Sequence, residues 1–496
     1  MKNLPAAVVC LCILFLFAVY ARHCIGAGTA RKLIVPQLTQ SQDFGTLRIF
    51  KGEAAPEHAA IFFSGEEGWT PALDRAASQL VSQKIFVVGV DTPSYRETMI
   101  TDSDPCIFIA GELERLSQSA ENEAGIDHYL KPFLAGYGTG GLLAYVALAQ
   151  HGPPFVGSVA IGFENTFLLA KNFCVGDGLN SDFTLQADGS NKPVGTANIR
   201  PNDTLSTNIV VLQGEGDATA SSFFARVPNA RVRPLKVTLE EFFVSNTWSA
   251  ELTGAVDLVF DVHARLSSKE KKEAPLTDLP VVEVKPEGNE RDVFVVFLSG
   301  DGGWATIDKE LGNFLAKKGI LVVGFSSLNY FWKRKDPAVA ARDVARVVEY
   351  YLSTTKKRRV VIAGFSMGAE LVPFIMNRLP KELAGRTEKL VLVAPEKTAD
   401  FEIHIGGWIG FQDTGSNFKV LDELAKLKGT KVLCLYGGDE EAESACPELK
   451  PEIGRWVKLP GGHHFKGDYE TVGNEILQFI NEPLASPWHS TLAPAH

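Results

Sequence analysis

Val360-Val361-Ile362-Ala363-Gly364-Phe365-Ser366-Met367-Gly368-Ala369-Glu370 decides how the rest of this chain is read. A short β-branched run ends in Gly-x-Ser-x-Gly, and apolar residues at helical spacing follow at Leu371, Phe374, Ile375 and Leu379. A buried strand, a sharp turn and a helix in that order lift a serine hydroxyl above the edge of a sheet, and the two glycines let the turn approach neighbouring backbone. Ser366 is the candidate nucleophile. The five-residue pattern alone also describes an ordinary Gly/Ser turn; the strand before it and the helix after it carry the functional reading.

Working outward, the surroundings of this turn occur twice. Ala60-Ile61-Phe62-Phe63-Ser64-Gly65-Glu66-Glu67-Gly68-Trp69 returns as Val296-Phe297-Leu298-Ser299-Gly300-Asp301-Gly302-Gly303-Trp304. A second strand pattern follows each copy, at Ile85 to Val90 and at Ile320 to Phe325, and Asp104-Pro105 answers Asp336-Pro337. The offset of about 230 residues is too long for a solenoid and suits a duplicated domain. The expected fold class is α/β: two tandem α/β-hydrolase-like domains, each a mostly parallel sheet flanked by helices, with the first degenerate. Its elbow, Phe133-Leu134-Ala135-Gly136-Tyr137-Gly138-Thr139-Gly140, puts Gly138 in the place of Ser366 and Thr139 in that of Met367. The expected boundaries are a signal peptide at 1–30, the degenerate domain at 31–265, a linker at 266–285 around the charged run Ser267 to Pro275, the catalytic domain at 286–484 and a tail at 485–496.

The same comparison locates the remaining chemistry. Val210 to Asp217 aligns with Leu433 to Glu440, each an apolar strand ending in glycine with a carboxylate three residues later. A hydrolase acid sits on a loop after a late strand, so Glu440 is the expected acid and Asp439 the alternative; an acidic surface loop is the competing description. The base should come last, and Leu459-Pro460-Gly461-Gly462-His463-His464-Phe465 lies between the last strand and the last helix. His464, next to the aromatic residue, is the expected base and His463 the alternative. The first domain has no histidine in the matching region, Val232 to Phe242. Backbone N–H groups of Met367 and of Asp301 or Gly302 are the expected oxyanion donors.

With 45% hydrophobic and 22% charged residues the chain has ample core, and its formal net charge of −10 argues against a nucleic-acid surface. Lys2 followed by an apolar run from Leu4 to Tyr20 and small residues reads as a secretory signal peptide, an uncleaved anchor being the rival. Of the four later cysteines, Cys106, Cys174, Cys434 and Cys446, the last two could close a loop after one strand in an oxidising compartment. None has the close paired spacing of a zinc site, so no metal and no cofactor is expected.

Ser-Gly-Asp-Gly-Gly-Trp at Ser299 to Trp304, Gly-Phe-Ser-Met-Gly-Ala-Glu at Gly364 to Glu370, Ala399 to Trp408 and Pro460 to Phe465 together resemble the bacterial virulence protein VirJ family, and the two-domain layout resembles its longer AcvB form. The resemblance implies a periplasmic serine hydrolase that acts on lysyl-phosphatidylglycerol at the membrane surface, releasing lysine and phosphatidylglycerol, with Ser366 as its nucleophile. For such a cationic acyl group Asp301, Glu370, Glu396 and Glu402 are candidate contacts, and Ile405, Trp408, Ile409 and Phe411 a candidate lipid face, each equally describable as surface charge or core. The first domain is expected to position, stabilise or dock an envelope protein partner. A non-catalytic binding factor for envelope assembly or export, and an esterase for a soluble acyl substrate, are the alternative functions.

Overall fold

The computed structural model describes residues 33–483 apart from 102–105, 187–193, 216, 246, 271–275, 404–417 and 428. The first sheet contains β1 (Gln37–Ser41), β2 (Gly45–Phe50), β3 (His58–Phe63), β4 (Ile85–Val90), β5 (Pro132–Tyr137) and β6 (Gly157–Ile161). After a small antiparallel sheet of β7 (Thr166–Leu169), β8 (Asn180–Gln186) and β9 (Val194–Arg200) it resumes with β10 (Asn208–Gln213) and β11 (Ala230–Pro234). Its order is β1-β2-β4-β3-β5-β6-β10-β11, parallel from β4 to β11.

The second sheet contains β12 (Val281–Val284), β13 (Val293–Leu298), β14 (Leu321–Phe325), β15 (Arg359–Phe365) and β16 (Thr387–Val393), then β19 (Lys431–Gly437) and β20 (Gly454–Leu459) after the small pair β17 (Thr398–Ala399) and β18 (Phe418–Lys419). The order β12-β14-β13-β15-β16-β19-β20 repeats the first sheet without its outer hairpin strand, and only β12 is antiparallel. The seven strands of the second sheet thus follow the same spatial order as β2 to β11 of the first. The segment expected as linker, 266–285, is partly structured: the helix Trp248–Glu270 runs into it and β12 lies within it.

Strands buried on both faces need uninterrupted apolar runs, and β13 shows why. Val293, Val295 and Phe297 enter the core on one side, Phe294, Val296 and Leu298 that on the other. Helices Thr306–Lys317 and Tyr469–Asn481 cover the first face; Pro337–Thr354 and Met367–Met376 cover the second. The two domains touch directly. Trp332, fully buried, donates its indole N–H to the Ile126 carbonyl at 2.9 Å, and its ring lies 5.4 Å from that of Tyr129.

Both disulfides form, Cys106–Cys174 and the expected Cys434–Cys446. Among the described residues no helix is long and apolar enough to cross a membrane, and no group of side chains has metal-holding geometry. The leader reading, Asp104-Pro105 and the candidate lipid face from Ile405 to Phe411 fall outside the described residues.

Candidate active site

Ser366 follows β15 and caps the helix Met367–Met376. Its backbone sits at φ 52°, ψ −126°, a sparsely populated region that costs a non-glycine residue about 1–3 kcal/mol. Packing enforces the turn. A Cβ on Gly364 would lie 2.4 Å from the Gly368 carbonyl carbon, and one on Gly368 would lie 2.2 Å from the Leu298 oxygen. Ser366 N–H donates to the Val393 carbonyl at 2.8 Å, tying the turn to β16.

The first domain retains this geometry around no nucleophile. Gly138 lies at φ 55°, ψ −120°, its N–H donates to the Ile161 carbonyl, and a Cβ on Gly136 would lie 2.1 Å from the Gly140 carbonyl carbon. The Glu164 carboxylate comes within 3.6 Å of the place a Cβ at position 138 would occupy. Asp217, the counterpart of the acid, accepts instead from Gln213 and from Thr219 N–H.

In the second domain β19 delivers a 3₁₀ turn at Gly438–Glu440, and Glu440 Oε2 lies 2.9 Å from Nδ1 of His463. Asp439 has another role: its N–H donates to the Gly461 carbonyl at 3.0 Å, fastening the acid turn to the histidine loop. Sequence placed the base at His464; the acid instead holds the ring of His463. Phe465, Lys466 and Gly467 are all left-handed, at φ 50°, 54° and 79°, and the Phe465 side chain is buried. The two imidazoles stand at 84° to one another, 5.1 and 5.6 Å from the ring of Phe365, the residue before the nucleophile. Partial burial, and after it the charge of His463, lowers the pKa of His464. No spacing in the sequence separates the two histidines.

Gly300 packs against the nucleophile: a Cβ there would lie 3.5 Å from Ser366 Cβ. Gly302 N–H is turned to the Asp301 carboxylate at 3.0 Å. Of the expected oxyanion donors this leaves Asp301 N–H, with Met367 N–H, which as the first residue of its helix has no intrahelical acceptor.

Carboxylates gather beside the elbow. Glu370, one turn into the helix and almost wholly buried, accepts the Glu396 N–H at 3.3 Å. Burial, then the neighbouring charge of Glu396, pushes its pKa up to about 8, and Asp301 and Asp400 act in the same direction. Asp400 was missed in the sequence; Glu402, named there, is not among the charges acting on Glu370. A cavity of about 280 Å³ opens beside Glu440 rather than over Ser366, lined by Glu396, Tyr436, Asp439, Glu440, Glu443 and Ser444 among others.

Residues 292–484 match the family described as bacterial virulence protein (VirJ), and the second domain belongs to that family. No curated protein matches the chain. Solved structures similar to it include Est1E from Butyrivibrio proteoclasticus, at 15% identity over 41% of this chain and 94% of that one, TM-score 0.31. An alpha-beta serine hydrolase homologue from Coxiella burnetii matches at 16% identity over 40% of this chain and 90% of that one, TM-score 0.30. The Pyrococcus furiosus esterase Pf2001 matches at 16% identity over 43% of this chain and 97% of that one, TM-score 0.31.

Proposed function

We propose that this VirJ-family domain is a serine hydrolase of carboxylic esters, with Ser366 as nucleophile, His463 as base and Glu440 as acid. Two observations carry the reading: a serine in the strained turn after β15, and a histidine held through Nδ1 by a carboxylate, whose ring lies 5.1 Å from that of Phe365, the residue before the serine. Glu440 on Nδ1 leaves Nε2 of His463 to take the serine proton. The hydroxyl oxygen adds to the ester carbonyl, and the negative charge that develops on the carbonyl oxygen is met by Met367 and Asp301 N–H. Return of the proton to the departing alcohol gives an acyl-serine, which water cleaves by the same steps.

The substrate we propose is an aminoacyl ester of an anionic phospholipid, lysyl-phosphatidylglycerol, met at the outer face of the inner membrane after export. The VirJ resemblance supports it, as do the carboxylates of Glu396, Asp301 and Asp400 near the elbow, whose charges all act on Glu370 and make a field suited to a cationic acyl group. The test is lysine release from that lipid in mixed micelles by wild type and Ser366→Ala. Release abolished by the substitution is the expected result. A folded wild type that cleaves a simple acyl ester but not the lipid would discard the lipid and keep the hydrolase; silence on both would discard the hydrolase.

A further inference from the structure

The loop that faces the nucleophile, Ser299 to Trp304, is held near each end by contacts that begin in the first domain. At its start, Ser327 N–H donates to Ser299 Oγ at 2.9 Å, and Ser327 Oγ donates to the Ser299 carbonyl at 2.6 Å. Ser327 opens the short helix Ser327–Tyr330, and Phe331 N–H closes back on the Ser327 carbonyl at 2.8 Å. The next residue is Trp332, whose indole is bonded to Ile126 and packed on Tyr129 of the first domain. Just beyond the other end, Thr306 Oγ1 lies 3.5 Å from Nε2 of His151, whose Nδ1 is paired with Asp177 at 2.7 Å.

Both attachment points follow the C-terminal ends of strands, β13 and β14, so the first domain docks on the edge of the second sheet where the nucleophile stands. The first domain contains its own copy of the inner brace, with Thr92 N–H donating to Ser64 Oγ at 2.8 Å and Thr92 Oγ1 to the Ser64 carbonyl at 2.5 Å. The outward extension through Trp332 is what the second copy adds. Glu114 lies at the same junction, where burial raises its pKa to about 7 and the charges of Asp301 and Lys309 reach it across the interface.

We propose that the degenerate first domain is a positioning element for the second domain's oxyanion loop, acting through Tyr129 and Ile126 on Trp332, and through His151 on Thr306. The inference rests on the hydrolase reading for its kinetic consequence but not for the docking itself. Trp332 acts through the Ser327–Ser299 brace, so loosening it displaces a donor from the developing oxyanion while the acyl-binding surfaces stay in place.

The test uses the full chain carrying Trp332→Phe, Trp332→Ala or Tyr129→Ala. It reads kcat and KM for 4-nitrophenyl acetate, the rate at which a fluorophosphonate probe labels Ser366, and amide hydrogen exchange over residues 299–306. A lost oxyanion donor costs about 10²–10³ in kcat, so a partly displaced one should cost about tenfold in Trp332→Ala with KM within about twofold, accompanied by faster exchange at 299–306. Trp332→Phe, which keeps a ring but loses the N–H, should fall between. Unchanged kcat, labelling and exchange in folded Trp332→Ala would overturn the proposal. Should that variant fail to fold, Tyr129→Ala decides on the same readouts, because it alters only the first domain's side of the contact. A wild type that neither turns over the ester nor labels would sink the hydrolase reading, while the exchange data would still decide whether the first domain holds the loop.

Discussion

Replacing Glu440 by glutamine separates the charge of the acid from its reach. Glutamine retains an oxygen that can accept from His463 Nδ1–H, so the ring stays oriented, but the imidazolium formed during acyl transfer loses its counter-charge. A hydrogen bond to a charged group contributes about 1.5–3 kcal/mol, and each 1.36 kcal/mol is tenfold in rate. Here the side chains of Glu440 and His463 are 36% and 28% exposed, so solvent screening keeps the effect toward the low end. The expectation is a fall in kcat of about 10- to 100-fold with KM nearly unchanged, read from initial rates with 4-nitrophenyl acetate between pH 5 and 9. Asp439→Asn, which leaves the backbone bond to Gly461 in place, should stay within about twofold. Wild-type kcat in Glu440→Gln, or activity that survives His463→Ala and is lost in His464→Ala, would refute the assignment of acid and base.

Four further variants probe the scaffold of the site. The Cys434–Cys446 bridge closes a loop with a sequence separation of 12 around Glu440, so Cys434→Ala with Cys446→Ala should cost about 2–4 kcal/mol in urea unfolding and lower kcat as the acid loosens. Glu370 has a folded pKa of about 8 against the ordinary 4.5, so the native state keeps a proton that the unfolded chain releases. The associated stability is complete below pH 4.5 and is lost as pH rises toward 8, by up to about 1.4 kcal/mol per pH unit. Glu370→Gln should flatten that slope in urea titrations at pH 5 and 8, and an unchanged slope would mean the proton is not held there. Gly364→Ala forces a methyl to within 2.4 Å of the Gly368 carbonyl carbon and should cost about 3 kcal/mol, with loss of probe labelling at Ser366. Gly302→Ala, which meets nothing within 4 Å, should stay within about 0.5 kcal/mol of wild type.

Much of this architecture is legible in the sequence because doubly buried strands write themselves as apolar runs, and because duplication shows each run twice. Val296 to Trp304 against Ala60 to Trp69 gave the sheet order its symmetry, and Gly138 against Ser366 separated the turn from its reactive atom. The short return from Cys434 to Cys446 offered a bridge without fixing it, because spacing does not determine connectivity. Side-chain direction within the histidine loop was not legible, since two adjacent histidines on one loop carry no spacing that separates them, and the left-handed Phe465 and Lys466 that follow are of residue types that do not announce that conformation. The junction between domains was silent for a related reason. Trp332 reads as one more core aromatic until a carbonyl from a residue 206 positions away is seen to meet its indole.

The two elbows also say something about the direction in which such a site can change. In the first domain the strained turn survives with glycine in the nucleophile's place, so strand and helix packing, rather than chemistry, maintains it. A serine in that backbone carries about 1–3 kcal/mol of conformational penalty that glycine avoids. Losing the nucleophile is thus a downhill step for the fold, and regaining it is uphill even before a histidine is found to serve it. A duplicated hydrolase domain released from selection would drift toward inactivity and stay there, a ratchet built from backbone geometry alone.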